Sequence, residues 1–296
     1  MSLATHTFRR AAILFAIGIA IRVVGHIQGE NMRIYGVLQR IAICFFIASI
    51  IFLLDHRPVT ICVIAASALA GYWVLIRLVP IPGLGMPGRD FPLFDPTHNL
   101  GAYIDRHMFP GHLSRGDYDT EGLLGSVLPA TATTLLGMLT ALWLRSARRP
   151  AIKAWGMLGA GILGIALGEF WSQWFPLNKK LWTSSYVLFS AGIALVLLAA
   201  CYSLIDIKGW KKGWTYIWLV FGTNAIAVYV ISEFLGPVMS WIRFPHGGNL
   251  HRSLANFFVT AIPSQHVASL AYSLTIVAIC FVPAVIFYLK KIFIKI

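Results

Sequence analysis

The sequence predicts an all-α, polytopic integral membrane helix bundle with about eight transmembrane helices. Three observations predict it. The 296 residues are 58% hydrophobic and only 12% charged, with a mean hydropathy of +0.74, whereas a soluble surface needs about 25% charged residues. Eight apolar segments have the ~17–25 residues that a helix needs to cross the hydrocarbon core. Finally, Lys and Arg gather in alternate short connections, which is the habit of cytoplasmic loops.

The segments follow in order. Ala11–Ile27 is the shortest and carries Arg22. Gly18-Ile19-Ala20 makes a poor cleavage site, so the segment reads as a helix and not as a signal peptide. Gly36–Leu54 and Val59–Val79 come next. The long connection Pro80–Glu121 then interrupts the bundle, rich in Pro and Gly and carrying His98, His107 and His112. A loop of this length in a compact protein is usually functional. Gly122–Leu144 and Ala154–Phe175 follow. The latter repeats Ala160, Gly164 and Gly168, a small-residue stripe that lets a neighbouring helix approach. Thr183–Ile205, Trp214–Leu235 and Val267–Leu289 complete the set, with a second polar connection at Gly236–Pro263. No domain boundary or internal repeat interrupts residues 1–296, so one transmembrane domain is expected.

Charge sets the orientation. With a cytoplasmic N-terminus, one side receives Met1–Arg10, Asp55–Pro58, Arg145–Lys153, Asp206–Gly213 and Lys290–Ile296. These short pieces hold thirteen Lys and Arg, while the much longer opposite loops hold eight. Both termini are therefore expected in the cytoplasm, with Pro80–Glu121 outside, as in a bacterial inner-membrane protein. The formal net charge of +13 then belongs to the membrane surface, and nucleic-acid binding is not expected.

Polar residues inside apolar helices carry the functional signal, because an intramembrane charge usually marks a site or a pathway. Arg22, Arg40, Arg77, Glu169 and Glu233 all fall within predicted spans, in their outer halves, and Asn224 lies near a midplane. Arg77 is close enough to its helix end to snorkel. Arg40, Glu169 and Asn224 read as cavity-lining, against the alternative that such groups only pair helices together. Three Arg against two Glu leaves a positive surplus suited to an anionic ligand. The outer turn Phe175–Ser185, with Asn178, Lys179, Trp182 and Ser184, reads either as a Trp-anchored interfacial turn or as a polar substrate rim.

Other constellations are missing. The sequence has no Walker loop, dinucleotide glycine fingerprint, HExxH or GxSxG. No metal site is expected. Cys44, Cys62, Cys201 and Cys280 each sit in an apolar run and read as small core residues.

Five segments carry a resemblance: Gly36–Ile41 (GVLQRI), Ala102–Arg106 (AYIDR), Tyr118–Gly125 (YDTEGLLG), Asn178–Tyr186 (NKKLWTSSY) and Gly222–Ile226 (GTNAI). In this order the chain resembles the heparan-α-glucosaminide N-acetyltransferase family, and its ending Lys290–Phe293 is similar to the family's ending. The resemblance implies a transmembrane acyltransferase that transfers an acetyl group from acetyl-CoA to an amino sugar or related glycan on the outer side. It marks Asp119, Glu121 and Asn224 as candidate catalytic residues. Gln39, Arg40, Asn178, Lys179, Trp182 and Ser184 become candidate substrate-binding residues, joined by Glu169 and Glu233 from the reading of intramembrane charge. The implied roles are Arg40 on anionic groups of the donor, a carboxylate on the acceptor amine, and Asn178 and Lys179 on the sugar or the developing oxyanion. Expected partners are the acyl-CoA, the glycan acceptor and the bilayer, with a homodimer left open. Family members begin with helices bearing an SLDVFRG-like start and a histidine-containing stretch, and nothing like either occurs here. The expectation for this chain alone is therefore acyl-CoA binding with weak turnover. The rival readings are a transporter or channel and a non-catalytic, truncated family member.

Overall fold

Helices account for nearly all regular structure in the computed structural model, which describes residues 3–25, 32–95, 97–113, 122–211, 213–244 and 248–294. They are α1 (Leu3–Gly25), α2 (Val37–Leu54), α3 (Pro58–Leu78), α4 (Leu100–Met108), α5 (Leu123–Arg145), α6 (Pro150–Ser172), α7 (Ser184–Tyr202), α8 (Trp214–Thr223), α9 (Ala225–Trp241), α10 (Leu250–Ala261) and α11 (Gln265–Leu289). Among the described residues no strand forms, only isolated bridges. The protein is an all-helical integral membrane protein. Six helices (α2, α3, α5, α6, α7 with its π-helical extension Ser203–Ile207, and α11) are long and apolar enough to cross a membrane, seven if α8 and α9 count as one bent span. The expected eighth, α1, has the length at 23 residues but carries Arg9, Arg10 and Arg22.

Residues 1–19 and 29–210 form one compact unit, and residues 20–28 and 211–296 form another. In the first, α2, α3, α5, α6 and α7 alternate in direction, through short connections except for the long one between α3 and α5. α3 buries Ile61, Ala65, Leu69, Tyr72 and Ile76, a three-to-four-residue stripe that faces α5 and α7. α6 and α7 make the most extensive pair. Cβ atoms added at Gly161, Gly164 and Gly168 would meet α7 at 2.8, 3.2 and 2.6 Å, and one at Gly192 would meet Gly161 and Ile165 of α6 at 2.6 Å. The packing stripe is thus Gly161, Gly164 and Gly168. Ala160 was expected in it but is exposed, because the helical period puts position 161 on the face shared with 164 and 168.

The long connection after α3 is a packed cap. Tight turns at Ile81–Gly85 and Pro87–Phe91 lead to Asp95, whose Oδ1 accepts from the Thr97 and His98 N–H groups. Asn99 then caps α4 by accepting from the Ala102 N–H at 2.9 Å. Ile81, Leu100 and Phe175 close a small core with Tyr72 and Ile76.

In the second unit, Tyr216 of α8 meets Tyr288 of α11 edge to face, and Phe221 packs at a tilt against Phe281. The expected straight span Trp214–Leu235 is instead broken at Asn224, where α8 and α9 bend by 81°. The expected loop Gly236–Pro263 largely becomes helix, since α9 runs on to Trp241 and α10 starts at an Asn249 cap.

Candidate functional site

Polar side chains with little access to solvent collect at one end of the first unit, where α2, α5 and α7 begin and α3 ends. Gln39 is 1% exposed. Its carboxamide occupies space left by a missing side chain, since a Cβ on Gly18 of α1 would stand 2.6 Å from it. Gln39 Nε2 is buried with no hydrogen-bond partner, and such an orphaned donor in a native fold calls for an explanation.

Arg40 lies one residue on, about 100° around the helix. Its guanidinium stands 4.2 Å from the centroid of the Trp182 ring, a cation–π arrangement. Trp182 is presented by a turn built for it. Asn178 Oδ1 accepts from the Lys180 and Leu181 N–H groups at 2.8 and 3.2 Å, an Asx-type turn. Thr183 Oγ1 accepts from the Asn178 N–H and donates to the Pro176 carbonyl. Trp182 itself adopts φ +53°, the left-handed region that bulky side chains avoid. Its indole N–H donates to Thr133 Oγ1 at 3.2 Å. Buried hydroxyls pin the turn to α3: Tyr72 OH donates to the Leu181 carbonyl, and Ser184 Oγ to the Leu69 carbonyl at 2.7 Å.

Asp105 of α4 is 1% exposed. Its carboxylate lies so close to Gly122 that a Cβ there would be 1.6 Å from Oδ2. Burial, then the field of Asp105, push the Tyr35 hydroxyl up to about 12. Asp105 was not among the residues singled out for the site, although its motif was noted. Helical spacing could have found it, because Gly101, Ala102 and Asp105, all buried in α4, lie within about 100° of one another around the helix. A carboxylate on the apolar face of a short helix is a burial signal.

Gln39, Arg40, Asn178, Trp182 and Ser184 thus belong to this end, although the polar groups of Asn178 and Ser184 mostly serve the turn. Lys179 is exposed on its rim. Asp119 and Glu121 lie outside the described residues. Glu169 is exposed in the last turn of α6, next to Gly168, which packs against α7. Arg77 donates to the Trp174 carbonyl, tying α3 to the loop after α6.

Asn224 and Glu233 belong to the second unit. Asn224 is 1% exposed. Its Nδ2 donates to the Ile292 carbonyl and its Oδ1 accepts from the Ile294 N–H, both at 3.0 Å. The motifs Gly222–Ile226 and Lys290–Phe293 therefore meet through one carboxamide. Glu233 is half-buried on α9, four residues before Pro237, which lacks the N–H that its carbonyl would normally accept. Among the described residues, no three His, Cys, Asp or Glu side chains group to hold a metal ion.

Gln39, Arg40, Asn178, Trp182 and Ser184, which come together in the first unit, all lie in the motif segments Gly36–Ile41 and Asn178–Tyr186. The human heparan-alpha-glucosaminide N-acetyltransferase is 28% identical over 274 residues, which cover 76% of this chain and 41% of the human protein. The mouse protein of the same name is 26% identical over 277 residues, covering 76% and 42%. The chain is a homologue of this acetyltransferase. It spans about two fifths of the length of these relatives. No family profile matches the chain.

Proposed function

We propose that this chain forms the membrane core of an acetyltransferase that moves an acetyl group from acetyl-CoA to the amine of an amino sugar or related glycan on the outer side of the membrane. The observation that carries the reading is the convergence of Gln39, Arg40 and Trp182 at one helix end, in a homologue of heparan-alpha-glucosaminide N-acetyltransferase.

Acetyl transfer forms a nitrogen–carbon bond and breaks the carbon–sulfur bond of the thioester. The ammonium of the acceptor must lose a proton, and the thiolate must gain one. Donors aimed at the carbonyl oxygen stabilise the charge that develops there. The Arg40 guanidinium and the unmatched Gln39 N–H supply donors of that kind, and the positive N-terminal end of α2 adds to them. A carboxylate suits the acceptor's ammonium, first as a hydrogen-bond acceptor and then as a base. Asp119 and Glu121 fill that role in this reading, and the Asp105 carboxylate lies against Gly122, the next residue in the chain. Lys179 and Asn178, on the rim beside Trp182, bind sugar oxygens. Coenzyme A is an extended molecule, so a thioester at this end is compatible with a nucleotide moiety held toward the cytoplasmic side. A bacterial inner-membrane location with cytoplasmic termini belongs to the same reading, supported by the bias of Lys and Arg toward the opposite end.

Titration calorimetry of the purified full chain in micelles tests it. Saturable acetyl-CoA binding is expected, and [14C]acetyl from acetyl-CoA is expected to appear on glucosamine. A chain that shows neither binding nor transfer overturns the proposal.

A further inference from the structure

A furrow runs along the lipid-facing side of α6, walled by α3, α5 and α7. Near the Trp143 end it is a cavity of about 530 Å³ that includes Gly156, Ala160 and Leu163. Toward Trp171 and Trp174 it becomes a second cavity of about 630 Å³. Leu167 and Leu188 border both, so the two adjoin. From Gly156 to Trp171, at 1.5 Å per residue, the furrow runs roughly 22 Å, most of a hydrocarbon core. Its walls are apolar, and Thr140 spends its hydroxyl on the Leu136 carbonyl. Trp73, on the furrow wall, has a buried indole N–H without a hydrogen-bond partner.

The Trp143 end is different. Trp143 lies flat across the start of α6 only because residue 156 is glycine, since a Cβ there would sit 2.4 Å from the indole. The indole N–H donates to the Lys153 carbonyl at 3.1 Å, and Lys153 Nζ donates to the Leu144 carbonyl at 2.7 Å. These bonds fix the turn between α5 and α6. The turn carries Arg145, Arg148, Arg149 and Lys153 with no acidic residue, and the three arginines are exposed. The Arg148 guanidinium stacks on Trp143, 4.8 Å from the ring centroid. One side chain therefore closes the apolar furrow and seats a cation at its mouth.

We propose that this furrow is a binding site for an anionic phospholipid, with an acyl chain along α6 and the phosphate on Arg148 and its neighbouring arginines. Charge complementarity selects the occupant, because the furrow asks for a long apolar chain and its mouth for a negative head. The head-binding mouth is independent of the acetyl-transfer reading, at the opposite end of the helices from Arg40.

The test uses the full chain, delipidated in neutral detergent and then supplied with phosphatidylglycerol or phosphatidylcholine. Native mass spectrometry and thermal unfolding are read together. Phosphatidylglycerol is retained and raises Tm, while phosphatidylcholine does neither. Arg148→Gln weakens phosphatidylglycerol retention about fivefold, the effect of one surface-basic contact, and Arg148→Lys restores the preference. Ala160→Phe fills the furrow and lowers retention while leaving the lipid-free Tm unchanged. Should Arg148→Gln fail to fold, Ala160→Phe decides alone. Equal retention of the two lipids, or unaltered retention in Ala160→Phe, overturns the proposal. So does an Ala160→Phe variant that loses a dimer while keeping its lipid, since the occupant is then a second copy of the chain.

Discussion

Gln39 and Arg40 are sequence neighbours at the same helix end, and each depends on one small or aromatic residue far away in the chain. Gly18 makes room for the Gln39 carboxamide, the far end of a flexible side chain. Gly18→Ala is therefore expected to cost under about 1 kcal/mol of stability yet weaken acetyl-CoA binding by displacing that amide, which paired unfolding and calorimetry will show. Gly122→Ala is harsher, because the clash is with the buried Asp105 carboxylate. Overpacking of this kind costs about 1–3 kcal/mol, readable as a lowered Tm. Tyr35 adds a pH dependence. Its folded-state value of about 12 lies above the ordinary 10.0, so folding favours the neutral phenol. That contribution is complete below pH 10 and disappears as the pH climbs through 12. Tyr35→Phe is expected to flatten the alkaline loss of stability over that window, measured by fluorescence-detected unfolding. At this scale the sequence was informative where depth was simple to read. Arg40 could be singled out because it interrupts an apolar run, whereas Asp105 sits in a short helix whose period has to be laid out before its burial shows.

Among the elements, the turn before α7 and the break before α9 both rest on an asparagine, and both do structural work with its carboxamide. Asn178 shapes the turn that forces Trp182 into a left-handed conformation under Arg40. Asn224 interrupts helix hydrogen bonding and takes hold of the segment after α11. Short polar side chains compete with the backbone in this way. Asn224→Ala leaves the Ile292 carbonyl and the Ile294 N–H without their partner. A cost of about 1–3 kcal/mol is expected, with faster hydrogen exchange at Ile294 and little change in the first unit. The bend at Asn224 was hidden in the sequence because Trp214–Leu235 is apolar on both sides of that residue, and hydrophobic periodicity cannot report a direction change at a single polar position. The cap between α3 and α5 was hidden for the opposite reason. Its Pro and Gly mark turns, yet Ile81, Leu93 and Phe94 are what bind those turns to the bundle.

Across the whole molecule, composition and charge distribution determine the most, because the bilayer constrains them most strongly. The all-helical architecture was legible from segment length alone, and the positions of most spans agree to within a few residues. The basic connections Asp55–Pro58 and Arg145–Lys153 lie at the end away from Arg40, so the bias of Lys and Arg makes a direct topological prediction. With the four native cysteines replaced by alanine, Arg89→Cys is expected to react with an impermeant thiol reagent from outside intact cells, and Ala147→Cys only after permeabilisation. Both positions are exposed, so burial does not confuse the result. The opposite labelling pattern inverts the orientation. The central claim is that the Arg40–Trp182 end holds the acyl donor, and the most direct measurement is acetyl-CoA affinity in Arg40→Ala beside Arg77→Ala. Arg77 serves a backbone carbonyl near its helix end, whereas Arg40 is the cation stacked at the site. About a 10–100-fold loss is expected for Arg40→Ala, the range of one hydrogen bond to a charged group, with an unchanged affinity for Arg77→Ala and Tm followed in both. Equal losses in the two variants at unchanged Tm, or no loss in either, contradict it.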